Sequence, residues 1–117
     1  MRSILVLLSI LLCSCSSILA SPEKPSDRSA KLYKYAYSSC IFWYLSAKKY
    51  DTKDIRSISA GIVETSKISL NVFTEISLFI KDYSPDLPSK NKIDVNLNRC
   101  FHLEDSKELK KIIHKQS

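Results

Sequence analysis

The sequence predicts an all-α protein: a small helical domain of four to five helices, stapled by one disulfide and preceded by a cleaved signal peptide. Three observations carry this expectation. Gly61 is the only glycine in 117 residues, which leaves little material for the tight turns on which a β-rich fold depends. Apolar residues recur at steps of three and four along most of the chain. Of the four cysteines, Cys13 and Cys15 fall in the N-terminal leader, so Cys40 and Cys100 remain as a pair in the folded part. The length allows one domain. With 44% apolar residues and a formal charge of +6, the composition excludes disordered, collagen-like and low-complexity classes. A single glycine also excludes a P-loop and a dinucleotide-binding G-x-G-x-x-G turn.

The leader comes first. Arg2 supplies a positive start, residues 4–12 form an apolar core, and Ile18-Leu19-Ala20 ends in a small residue suited to signal peptidase, giving a signal peptide over 1–20. The apolar run falls short of the roughly 20 residues that span a bilayer. A second exit, Leu12-Cys13-Ser14-Cys15, approximates a lipoprotein signal over 1–14 with lipid on Cys15. Either route delivers the chain to an oxidising compartment, where Cys40 and Cys100 would pair. The alternative for these cysteines is a reactive thiol.

Residues 21–27, with Pro22, Pro25 and alternating charges, read as a solvated tether, and 28–117 as the folded domain. Ser26 or Asp27 would cap the first helix. Leu32, Ala36, Cys40, Trp43, Ala47 and Tyr50 step along one face of it, with Tyr33, Tyr37, Ile41 and Tyr44 beside them, so this should be the central helix. Asp51-Thr52 can cap a second helix of about three turns, carrying Ile55, Ile58, Ser59, Ile62 and Val63. Gly61 would lie on or beside its packed face and admit another backbone there.

Residues 68–81 alternate apolar and polar with a period of two, the pattern of a strand. Its thirteen steps, fully extended, would span about 43 Å, whereas a domain of this size has a radius of gyration of about 13 Å. The spacing therefore predicts a helix over 69–83, capped by Ser69, with Leu70, Phe73, Ser77 and Ile80 on one face. Pro85 and Pro88 bar helix continuation through 84–92. Leu97, Cys100, Phe101 and Glu104 suit a short helix, and Asp105 with Glu108 has the spacing of a capping box leading into Leu109, Ile112 and Ile113.

Chemistry of sites finds little to work with. Hydrolytic or metal centres need several convergent groups, and only His102 and His114 are available. Cys100-x-His102 with Glu104 and Asp105 lacks a spaced set of metal ligands, and His114 suits the C-terminal dipole of the last helix. No cofactor and no catalytic set are expected, so an enzyme is the weakest class. Lysines interleave with acids rather than forming the stripe that nucleic acid requires, and a membrane enters only through lipid on Cys15.

The chain resembles the type VI secretion amidase immunity proteins, the Tai4 family. The resembling residues are Arg99-Cys100-Phe101-His102-Leu103 followed by Ser106-Lys107-Glu108-Leu109, Ser39-Cys40-Ile41, Ser59-Ala60-Gly61-Ile62-Val63-Glu64 with Leu70 and Phe73, and Ser89-Lys90. Together they cover residues 34–113. The chain departs from the family pattern at Thr65-Ser66-Lys67-Ile68 and through 101–105. The resemblance implies an all-α periplasmic protein, usually a homodimer, that blocks a peptidoglycan amidase of the Tae4 type and has no catalysis of its own. Occlusion of the amidase cleft by a rigid loop then makes Asp86, Ser89 and Lys90, beside Pro85 and Pro88, the first candidate contact, and Glu64 with Lys67 the second. Solvated loop decoration is the plain alternative for all five. Two other classes stay open, a different secreted inhibitor such as one aimed at lysozyme, and a structural lipoprotein of the envelope.

Overall fold

A computed structural model describes residues 24–87 and 93–115. The chain forms α1 (Pro25–Ala47), α2 (Lys53–Glu64), α3 (Leu70–Asp82), α4 (Val95–Asn98), a 3-10 segment (Arg99–Asp105) and α5 (Lys107–His114). No strand occurs among the described residues. The leader, Cys15, Ser89 and Lys90 lie outside the described residues, as do residues 21–23 of the expected tether.

Helix α1 begins at Pro25, inside that tether, and its N-cap is Lys24 rather than Ser26 or Asp27. Proline explains the earlier start: its fixed φ is already helical, and its missing N–H is one that a first turn leaves unpaired in any case. Asp27 sits in the first turn, where its charge complements the helix dipole. Leu32, Ala36 and Cys40 are fully buried, as their four-residue spacing requires. The stripe fades beyond them, with Trp43 half-buried and Ala47 and Tyr50 exposed. Helix α1 touches every other element and is the axis of the domain. It is capped by Lys48 and stopped by Lys49, which takes the left-handed conformation (φ 59°) usually left to glycine. The Lys49 and Tyr50 amides return to the carbonyls of Ser46 and Leu45 at 3.1 and 2.9 Å, closing the helix end without a glycine.

Asp51 opens α2 by accepting the Lys53 amide at 2.8 Å. The helix has no fully buried residue and packs on α1 through Ile62, Val63 and a polar seam in which Ser59 Oγ lies 2.8 Å from Ser38 Oγ. A Cβ placed on Gly61 would meet nothing within 4 Å, so no backbone approaches there and the expected close contact is absent.

Segment 70–82 is a helix, and Ser69 caps it by accepting the Asn71 amide at 3.4 Å. Its buried face is Val72, Phe73, Ile76 and Ile80, turned from the expected one: Leu70 is 68% exposed and Ser77 half-buried. Because the run is apolar at every second position, several faces compete, and the packing partners decide. Tyr35 of α1 meets Phe73 edge-on at 4.8 Å between ring centroids, which fixes the chosen face. In the last third, Arg99, Cys100 and Leu103 are buried while Phe101 is 74% exposed. Helix α5 is capped by Ser106, whose Oγ accepts the Leu109 amide at 3.2 Å. The cap thus falls one residue later than the expected Asp105. Leu109 and Ile113 then enter the core fully buried.

The core runs Leu32, Ala36, Cys40, Val72, Phe73, Ile76, Ile80, Leu103, Leu109 and Ile113, joined by the Cys40–Cys100 disulfide with Cα atoms 5.6 Å apart. Closing 60 residues of chain reduces the entropy of the unfolded state, worth roughly 4 kcal/mol in a chain-entropy account. Such a bridge belongs to an oxidising compartment. No described helix is long and apolar enough to cross a membrane.

Two stability outcomes follow. Intact mass of the folded protein under non-reducing conditions should show both thiols oxidised within one chain, and Cys40→Ala should lower urea stability by about 2–5 kcal/mol. Gly61→Ala, having free space and a helical backbone, should raise stability by about 0.5–1 kcal/mol. A loss of stability in the alanine variant would mean that some contact fills the space beside Gly61.

Candidate functional site

The surface around the end of α3 is built from three anchors. The first is Arg99, a residue that charge alone would place in solvent. Its side chain is 8% exposed, and Nη1 donates to the carbonyl oxygens of Ile80 at 3.2 Å and Tyr83 at 2.6 Å. These groups lie at the C-terminal end of α3, where few backbone donors remain, the Ile80 oxygen also accepting the Tyr83 amide at 3.3 Å, and a cation is favoured by the dipole. Burial lowers the guanidinium pKa from its ordinary 12.5, and the group remains charged at any physiological pH. The Arg99 Nε has no hydrogen-bond partner.

Tyr83 is the second anchor. Its hydroxyl donates to the His102 carbonyl at 3.2 Å, and its ring lies 5.4 Å from that of Phe79. Burial raises the phenol pKa, the nearby Asp105 charge adds to the rise, and Arg99 opposes it. The third anchor is the ion pair of Lys48 Nζ and Asp94 Oδ2 at 2.7 Å. Asp94 also caps α4, with Oδ1 accepting the Asn96 and Leu97 amides at 2.9 and 3.2 Å. Hydrogen bonding to Lys48 lowers the Asp94 pKa, and the same bond raises that of Lys48. Segment 83–94 therefore leaves α3 at a held residue and enters α4 at another.

Of the sequence-predicted contact residues, Asp86 is exposed beside a half-buried Pro85, while Ser89 and Lys90 fall outside the described residues. Glu64 is the last residue of α2, and both it and Lys67 are exposed. The two candidate surfaces do not meet: Lys67 precedes α3 and Asp86 follows it, and the 13 residues of that helix span about 20 Å.

A groove lies between α3 and α5, and neither helix announces it alone. Leu78, Phe79, Tyr83 and Pro85 face Ser106 and Glu108 across a cavity of about 610 Å³. It continues past Phe79 to Ile112, Lys111 and Lys115 in a second cavity of about 540 Å³. A separate apolar groove between α1 and α2 is formed by Tyr37, Ile41, Ile55, Ile58 and Ile62.

His102 Nδ1 is 3.2 Å from Asp105 Oδ2. The Tyr37 pKa is pushed up to about 12, first by burial and then by hydrogen bonding to Glu104; Tyr33 is raised by burial and the Glu104 charge. A phenol held this firmly in its neutral form is a poor base near neutral pH. Among the described residues no three His, Cys, Asp or Glu side chains are grouped to hold a metal ion. What the arrangement offers is a fixed, sculpted surface. No family model, curated protein or solved structure matches this chain.

Arg99→Met keeps the apolar stem but strands the carbonyl of Tyr83, while that of Ile80 keeps the Tyr83 amide at 3.3 Å. A buried group left unpaired costs about 1–3 kcal/mol, so urea denaturation should show a loss in that range. Arg99→Lys should recover part of it, since an ammonium can reach one carbonyl. An unchanged midpoint in Arg99→Met would show that the buried guanidinium does not hold the end of α3.

Proposed function

We propose that this chain is an immunity protein that binds a type VI secretion peptidoglycan amidase in the periplasm and inhibits it by occluding its active site, acting as a homodimer and without catalysis of its own. The observation that carries the reading is where the resembling residues fall. Arg99-Cys100-Phe101-His102-Leu103, where the resemblance is strongest, and the similar Ser39-Cys40-Ile41 supply the two ends of one disulfide. The exposed Asp86 lies in the segment that leaves α3 under the hold of Arg99.

Physically, a Cys-His amidase must admit a flexible wall peptide into a cleft. A protein segment fixed at both ends can fill that cleft and loses little conformational entropy in doing so. Pro85 and Pro88 restrict the segment further, since each fixes a backbone φ. The α1–α2 groove, with Ile58 55% exposed, is the apolar surface on which two copies would meet. The oxidising compartment that the disulfide belongs to includes the periplasm, where such an amidase acts on the wall.

Purified mature protein should form a stoichiometric complex with the Cys-His amidase encoded beside its gene, and should suppress peptidoglycan cleavage. Replacing residues 85–90 with a Gly/Ser linker should weaken that complex more than tenfold by calorimetry, because the preorganisation is lost. Retained inhibition after the replacement would move the contact to Glu64 and Lys67. Absence of any complex with the intact chain would remove the immunity reading.

A further inference from the structure

A segment of about ten residues cannot make a stable protein complex by itself. Specific interfaces take roughly 800 Å² and about 20–30 residues from each partner, so a partner engaged by the segment after α3 must also rest on what lies beside it. The α3–α5 groove starts there, because Pro85 forms part of its wall. Its apolar seat is Leu78, Phe79 and Ile112, and Leu78 is 60% exposed although nothing in the helix pattern requires it to be apolar.

Charge is distributed unevenly along this groove. Asp82, Lys107 and Glu108 stand at the Pro85 end, where the signs nearly balance. Lys111 and Lys115 stand at the far end, against Glu108 alone. Lys107, Lys111 and Lys115 recur every four residues and so share one side of α5. A ligand complementary to the whole groove carries an apolar side chain in the middle and carboxylates over Lys111 and Lys115.

We propose that the α3–α5 groove is the second half of the partner-binding surface, and that it receives an acidic segment with an apolar anchor from the rim of the enzyme whose cleft the Pro85–Asp86 segment fills. This rests on the inhibitory reading above and adds to it the site and the chemistry of the second contact. The apolar seat supplies the durable part of the contact, since anchors buried in a pocket dominate interface energy. The lysines steer association and set its salt dependence.

The test uses the full mature chain and the neighbouring amidase. Leu78→Asp and Lys111→Glu/Lys115→Glu alter exposed side chains, and circular dichroism with thermal melting checks that each variant folds. By calorimetry, Leu78→Asp should weaken the complex at least tenfold. Surface plasmon resonance of the lysine variant should show an association rate reduced several-fold, with a flatter dependence on salt. Leu78→Asp decides the matter alone if the double variant fails to fold. Wild-type affinity in both variants overturns the groove while leaving the inhibitory reading intact. If the unaltered chain forms no complex, that reading falls and the groove proposal falls with it.

Discussion

Everything in this domain hangs on the bond between Cys40, on the longest described helix, and Cys100, in a 3-10 segment. The stretch Arg99–Asp105 is held by side chains as well as by its own backbone. Cys100 is covalently fixed to α1, Leu103 fills the core with no exposed surface, and Arg99 holds the end of α3. Three residues within five positions thereby connect α1, α3 and the approach to α5. A 3-10 helix has poorer hydrogen-bond geometry than an α-helix and is seldom long, so this one persists because its neighbours determine it from outside. A domain of about 100 residues buries less than two-thirds of its unfolded surface, which is why a covalent cross-link weighs heavily in its stability.

The same constraint shapes the surface. Because α1 is the common partner of all the other elements, its far end is also a reference point, and Lys48 there meets Asp94. Segment 83–94 is accordingly set between a carbonyl held by a buried cation and a carboxylate held by an ion pair. The two holds differ in kind. The partly exposed Lys48–Asp94 pair is screened by salt and contributes mainly geometry, whereas the hydrogen bonds of the buried Arg99 would leave the Tyr83 carbonyl unpaired if broken.

The helical class, the number and order of the elements and the disulfide partners were legible in the sequence, because each rests on local spacing or on counting. Leu32, Ala36 and Cys40 show this at its clearest. The choice of face on α3 was not legible, since Leu70, Val72, Phe73, Ile76, Leu78, Phe79 and Ile80 leave several apolar stripes, and the packing neighbours, Tyr35 against Phe73 among them, select among these. Asp105 and Ser106 are both good caps, and their contest is settled by which one stands where the 3-10 segment ends. Gly61 looked like a packing device because glycine often is one, yet the space beside it is empty. The Asp86 and Glu64 surfaces could be named from loops alone, but the α3–α5 groove could not, since it exists only once distant segments have packed.

Arg99 shows most directly why charge in a sequence does not locate a residue. Burying a guanidinium is unfavourable in itself, and an apolar side chain of the same length would avoid that cost. The apolar residue would, however, deprive the Tyr83 carbonyl of its donor and leave the Ile80 carbonyl with the Tyr83 amide alone, and helix ends require such donors. The placement of α3 thus demands a cation at residue 99, and the disulfide at the next residue keeps that cation within reach. Because the carbonyl it holds at 2.6 Å belongs to Tyr83, the direction in which the chain leaves α3 is set by the core. The exposed segment that follows therefore inherits its geometry from a buried contact.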